Sequence, residues 1–151
     1  MSHVVVVSDD GVNVPLTRAR VGAIARSVLR AERAGAAQLS ITFVSSRRIA
    51  ALNRRHLAHR GSTDVISFAL APDAARGPIG GDIYIAPDVA RRNATAHGVS
   101  IREELTRLVV HGVLHVLGFD HPEGVGRDRS PMWRRQEELV ARLKRRARSA
   151  A

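Results

Sequence analysis

Strand-like patterning ends near Ala86 in this 151-residue chain, and everything from Pro87 onward carries helical spacing. That split constrains the fold more than any other feature, because the order β-α-β-α-β-β followed by helices alone points to an α+β domain with one small mixed sheet. Val4–Val7 is a β-branched run that reads as a short strand, broken by Asp9, Asp10, Gly11 and Asn13. Pro15 is suited to open a helix whose apolar face is Leu16, Ile24, Val28 and Ala31, with Gly35 as its stop. Leu39, Ile41 and Phe43 alternate with Gln38, Ser40 and Thr42, the period of a half-buried strand. Ser46 caps a short helix through about Asn53; Val65–Leu70 and Asp82–Ala86 read as two further strands, separated by a loop from Pro72 to Gly81. Beyond them, Pro87 begins a helix that Gly98 ends, and Ser100 with Glu103 forms a capping box. The helix after it buries Ile101, Leu105, Leu108, Val109 and Val116 and stops at Gly118. Ser130-Pro131 starts the last helix, whose basic end, Arg142 to Arg148, reads as a solvated terminus. The expectation is a single domain over residues 1–151 of class α+β: a small, mostly four-stranded mixed sheet packed against about five helices.

Composition narrows the chemistry. There is no cysteine, which excludes disulfides, thiolate zinc sites, iron–sulfur clusters and cysteine nucleophiles together. Any tight transition-metal site must then use His, Asp or Glu. Lys and Arg total 24 against 14 Asp and Glu, a net charge of +10, and Lys144 is the one lysine. Arginine's planar fork suits phosphate, so the charge is consistent with a nucleic-acid partner. An arginine-rich, GC-biased coding sequence explains the same composition. Aromatics are few (Phe43, Phe68, Phe119, Tyr84 and Trp133), which favours phosphate contact over a broad stacking platform. Apolar runs such as Val4–Val7 are far short of the ~20 residues of a membrane span. The start of the chain lacks the basic-then-apolar pattern of a secretory signal, and a cytoplasmic location with no membrane partner is expected.

Three of the seven histidines fall between His111 and His121. His111 and His115, four apart on a helix, share one face a turn apart. Gly118 then lets the chain turn back, so that His121 can return over that face as a third ligand. Three neutral imidazoles leave a zinc ion one open tetrahedral position, the catalytic rather than the structural pattern. The alternative is a pair of satisfied core histidines on an amphipathic helix. The spacing is also that of H-E-x-x-H-x-x-G-x-x-H metalloproteases, but Gly112 stands at the position of their general base, and Glu103 and Glu104 lie about two turns away.

The stretch His111–His121 resembles H-G-x-L-H-L-x-G-x-D-H, the signature of the YbeY family of bacterial rRNA maturation factors, which are metal-dependent endoribonucleases. Leu52-Asn53 with Thr63-Asp64-Val65-Ile66-Ser67-Phe68 looks like that family's L-N … T-D-V-L-S-F block, and Gly81-Asp82-Ile83 like its G-D-I strand. The resemblance implies one zinc ion per chain on His111, His115 and His121, and action on single-stranded RNA. It further implies a role at the 3′ end of the small-subunit rRNA and in ribosome quality control, with ribosomal RNA and the ribosome as partners. Leu57 occupies a position where family members often carry arginine; Arg60, which precedes the strand beginning near Thr63, is taken as the catalytic arginine that offsets transition-state charge, the alternative being an ordinary loop cation. Asp120 either orients a histidine or caps the turn, and Asp64 and Asp82 are read as structural, bonding nearby backbone amides. Two other functions stay open: a metal-dependent hydrolase of another substrate such as peptide, and a non-enzymatic, zinc-stabilised ribosome-assembly factor.

Overall fold

A computed structural model describes residues 2–57, 63–70, 78–120 and 130–150. The period-two segment is its centre: strand β2 (Ala37–Phe43) buries Ala37, Leu39, Ile41 and Phe43 on one face and lies between two parallel neighbours. These are β1 (His3–Asp9) and β4 (Ile79–Ile85), and β3 (Val65–Leu70) pairs antiparallel with the far side of β4. The sheet is therefore four-stranded and mixed, in the order β1-β2-β4-β3. Register puts Val5, Leu39 and Gly81 in line on one face, with Val7, Ile41 and Ile83 beside them.

Five helices accompany the sheet among the described residues: α1 (Arg18–Ala31), α2 (Ser46–Leu57), α3 (Pro87–His97), α4 (Ile101–Val116) and α5 (Pro131–Ala150). The main core joins that inner face to α1, α4 and α5 through Ile24, Val28, Leu105, Val109, Val113, Met132 and Leu139. A smaller cluster of Ile49, Leu52, Ile66 and Val89, with Phe68 and Tyr84 packed edge to face, seats α2 over the β3–β4 end of the opposite face. The α+β expectation holds, with four strands and five helices. Among the described residues no helix is long and apolar enough to cross a membrane.

Several boundaries differ from the sequence reading. The first helix starts at Arg18, not Pro15, because the Thr17 hydroxyl accepts the Arg20 N–H and so caps it. It ends at Ala31, and Arg33 rather than Gly35 takes the left-handed conformation, with φ 54°. Ser45, not Ser46, caps α2 by accepting the Arg48 N–H, and α2 continues past Asn53 to Leu57. Strand β4 begins at Ile79, in what read as loop, because its backbone pairs on both sides and overrides the poor strand propensity of Gly80 and Gly81.

Gly81 has a packing role as well, matched by Gly112 on α4. A Cβ on Gly81 would lie 2.6 Å from both methyls of Val116, and one on Gly112 would lie 2.8 Å from Cγ2 of Ile83. Helix α4 thus rests directly on β4, each contributing a bare backbone where the other presents a branched side chain. The contact turns Gly112 to the sheet and leaves His111 and His115 on another part of the helix surface.

Candidate metal centre

Helix α4 is built to end where the chemistry begins. The Ser100 hydroxyl accepts the Glu103 N–H at 3.1 Å and starts it. Only that half of the expected capping box is seen, since the Glu103 carboxylate instead takes bonds from Arg107 and Lys144. At the other end Gly118, with φ 102°, donates its N–H to the His115 carbonyl, and Phe119 donates to the Leu114 carbonyl. This pair of bonds satisfies the last carbonyls and reverses the chain directly after His115.

His111 is buried, 8% exposed, and its Nδ1 lies 2.8 Å from Oε1 of Gln136 on α5. Because an amide oxygen only accepts, Nδ1 is the donor in this contact. The amide orientation is itself set, since Gln136 Nε2 donates to Glu137 Oε2 at 3.0 Å. Glu137 in turn holds Arg107 through two bonds of 2.8 and 3.0 Å, and Arg107 also reaches Glu104 and Glu103. A histidine oriented from behind by a buried amide is the arrangement that suits a metal-ligating imidazole. His115, partly buried, follows one turn along the same helix. This donor chemistry, two imidazoles a turn apart with one oriented by a buried carboxamide, fits a zinc ion.

The Gln136–Glu137–Arg107 chain was not visible in the sequence. Arg107 lies 30 positions from Glu137 and His111 lies 25 from Gln136, and only the α4–α5 packing brings them together. Charges along it reinforce one another. Burial pushes the Glu137 carboxyl up, but hydrogen bonds from Arg107 and Gln136 outweigh it and hold the carboxyl below its ordinary range. Hydrogen bonds to Glu137 raise the pKa of Arg107 further, against burial. The hydrogen bond from Lys144, with Arg107 adding to it, lowers Glu103.

Beside His111 opens a cavity of about 550 Å³ between α3, α4 and α5. A larger one, about 680 Å³, lies near the starts of α1 and α4 and includes none of the motif histidines among its lining. Asp64 and Asp82 depart from the expectation that they bond backbone amides. Asp64 accepts the Asn93 side-chain amide at 3.1 Å and lines the cavity with His111, and Asp82 accepts the Ser40 hydroxyl at 2.7 Å across β2 and β4. Asp120 is exposed at the turn after Gly118. His121 and Arg60 lie outside the described residues. Among the described residues no group of three metal-binding side chains is assembled, so the structure brings together two of the three expected ligands.

The family model described as Endoribonuclease YbeY matches residues 8–144 of the chain. An Endoribonuclease YbeY from Geobacillus kaustophilus is 40% identical over 116 residues, 71% of this chain and 73% of the relative. Those from Frankia alni and Pelotomaculum thermopropionicum are 38% and 40% identical, spanning 91% and 89% of this chain and 81% and 88% of their own lengths. The solution structure of TM1509 from Thermotoga maritima superposes with a TM-score of 0.61, covering 97% of this chain and 93% of that one; at 23% identity the likeness is one of fold.

Proposed function

The chain belongs to the Endoribonuclease YbeY family, and from that premise we propose that it is a zinc-dependent endoribonuclease. Its substrate is single-stranded RNA, its role maturation of the small-subunit rRNA 3′ end and ribosome quality control, and its setting the cytoplasm. One observation supports the reading at the level of chemistry: Nδ1 of buried His111 donates to Gln136, which fixes the orientation of the ring, and His115 follows one turn further along the same helix. His111, His115 and His121 would hold the ion. When bound, zinc supplies a Lewis acid and a water acidic enough to serve near neutral pH.

The chain's own residues do the rest. Gln136 keeps His111 in one tautomer and orientation. Arg60 is assigned to offset charge that develops on the phosphodiester as it is cleaved. Asp120 is assigned to orient a histidine after the turn at Gly118. The net charge of +10 favours approach of a polyanion. A peptidase mechanism loses its usual base at Gly112, and the packing leaves no room to supply one: even a methyl there would meet Ile83 at 2.8 Å.

The test is His115→Ala, with zinc content by mass spectrometry and cleavage of a single-stranded RNA by stringently purified protein. Loss of zinc together with multiple-turnover cleavage is expected. Retained zinc and unchanged cleavage would overturn the assignment, and a wild-type protein that binds zinc yet never turns over would instead support the non-enzymatic assembly role.

A further inference from the structure

The cavity beside His111 has a lining poorly suited to the phosphodiester itself. Its walls include three carboxylates, Asp64, Glu104 and Glu137, against one guanidinium, Arg107, already engaged by Glu103, Glu104 and Glu137. A phosphate brought against that wall, away from the histidines, would meet the carboxylates among the described lining residues. A neutral planar group would not. Trp133, the one tryptophan of the chain, lines the same cavity and is partly buried there. The polar wall offers an acceptor with capacity to spare: Asp64 Oδ2 takes one N–H from the Asn93 amide, and a carboxylate can accept more than one such bond.

We propose that this cavity receives one unpaired nucleobase of the RNA, stacked on Trp133, and prefers a base with an exocyclic amine over uracil. The inference rests on the RNA reading above and deepens it. The sugar–phosphate strand stays outside, near the histidines, while the adjacent base turns inward between α3 and α5. An amine of cytosine, adenine or guanine donates to the Asp64–Asn93 wall. Uracil presents O4 at the corresponding edge, and an acceptor facing acceptors is left unpaired. A paired base is unavailable for such insertion, so the pocket also accounts for single-strand selectivity.

Because Trp133 is the only tryptophan, its fluorescence reports on the pocket alone. The experiment titrates the full-length zinc-loaded protein with end-labelled 2′-O-methyl phosphorothioate hexamers of cytidine and of uridine, which resist cleavage. Label anisotropy gives binding and tryptophan emission gives occupancy of the cavity. The cytidine hexamer is expected to quench Trp133 and to bind at least ~5-fold more tightly than the uridine hexamer, two pyrimidines of matched size. Trp133→Ala is expected to weaken the cytidine hexamer by roughly 5- to 150-fold, the range that base–aromatic stacking supplies, and Trp133→Phe by much less. Anisotropic binding without any change in tryptophan emission overturns the pocket while leaving the RNA reading intact, as does equal affinity for the two hexamers. Binding of neither hexamer removes the RNA reading itself. The wild-type fluorescence arm decides the matter even if Trp133→Ala fails to fold.

Discussion

At the scale of single residues, Gln136 is the side chain whose role is most sharply defined. It is 1% exposed, it accepts from His111 and it donates to Glu137. Gln136→Leu keeps the volume and apolar packing but removes the acceptor, freeing His111 to exchange tautomers and rotate. Zinc affinity, measured by competition with a chromophoric chelator, is expected to fall by about 10- to 100-fold, the usual effect of losing such a supporting partner. Circular dichroism should show an intact fold; an unchanged zinc affinity in a folded variant would remove Gln136 from the site. His111 and His115 were legible from spacing alone because helical periodicity puts positions four apart on one face. Gln136 was not, because a glutamine on an amphipathic helix has no distinguishing local pattern, and its partner lies 25 positions away.

At the scale of elements, the decisive contact is α4 against β4. Gly112→Ala places a methyl within 2.8 Å of Ile83 Cγ2, a branched side chain with no free end to swing aside. Overpacking of this kind costs about 1–3 kcal/mol, and for a chain of this length each kcal/mol corresponds to about 2–4 °C in Tm. A double-mutant cycle with Ile83→Ala checks the cause: the two losses should combine to less than their sum, since the second substitution makes room for the first. Full additivity would show that Gly112 matters for another reason. In the sequence Gly112 was notable chiefly for not being glutamate. Its positive reason, close approach of helix to sheet, depends on which strand lies beneath.

At the scale of the whole molecule, charge is organised as well as abundant. Arg107 joins Glu103 and Glu104 on α4 to Glu137 on α5, and Lys144 on α5 returns to Glu103. A further link, Arg135 to Glu32, ties α5 to the end of α1. Glu103 and Glu137 both have carboxyls held below the ordinary glutamate value of 4.5. Below that value the unfolded chain binds more protons than the folded one. Their contribution to stability is therefore complete above 4.5 and is lost as pH falls through the lowered folded values. Tm should decline on acidification in this window, and Glu137→Gln should flatten the decline; an identical acid limb in the variant would argue that Glu137 contributes nothing to it. The net charge of +10 makes a separate prediction for RNA. Log affinity for single-stranded RNA should fall linearly with log salt concentration as condensed counterions cease to be released. A flat salt response would place recognition in the base cavity alone.

The sequence by itself determined what local periodicity and side-chain chemistry can carry. It set the run of helices alone after Pro87, the Val65–Leu70 strand, the Ser100 and Gly118 ends of α4, the restriction of any metal site to non-thiol ligands, and the two imidazoles a turn apart. Each depends on neighbours within about one or two helical turns, or on composition alone. Only the tertiary structure decided which nitrogen of His111 faces Gln136, that Gly112 faces the sheet, and that Asp64 and Asn93 share a cavity with Trp133. Those relations join residues from different elements, and no local pattern records which elements will pack against one another or in what register.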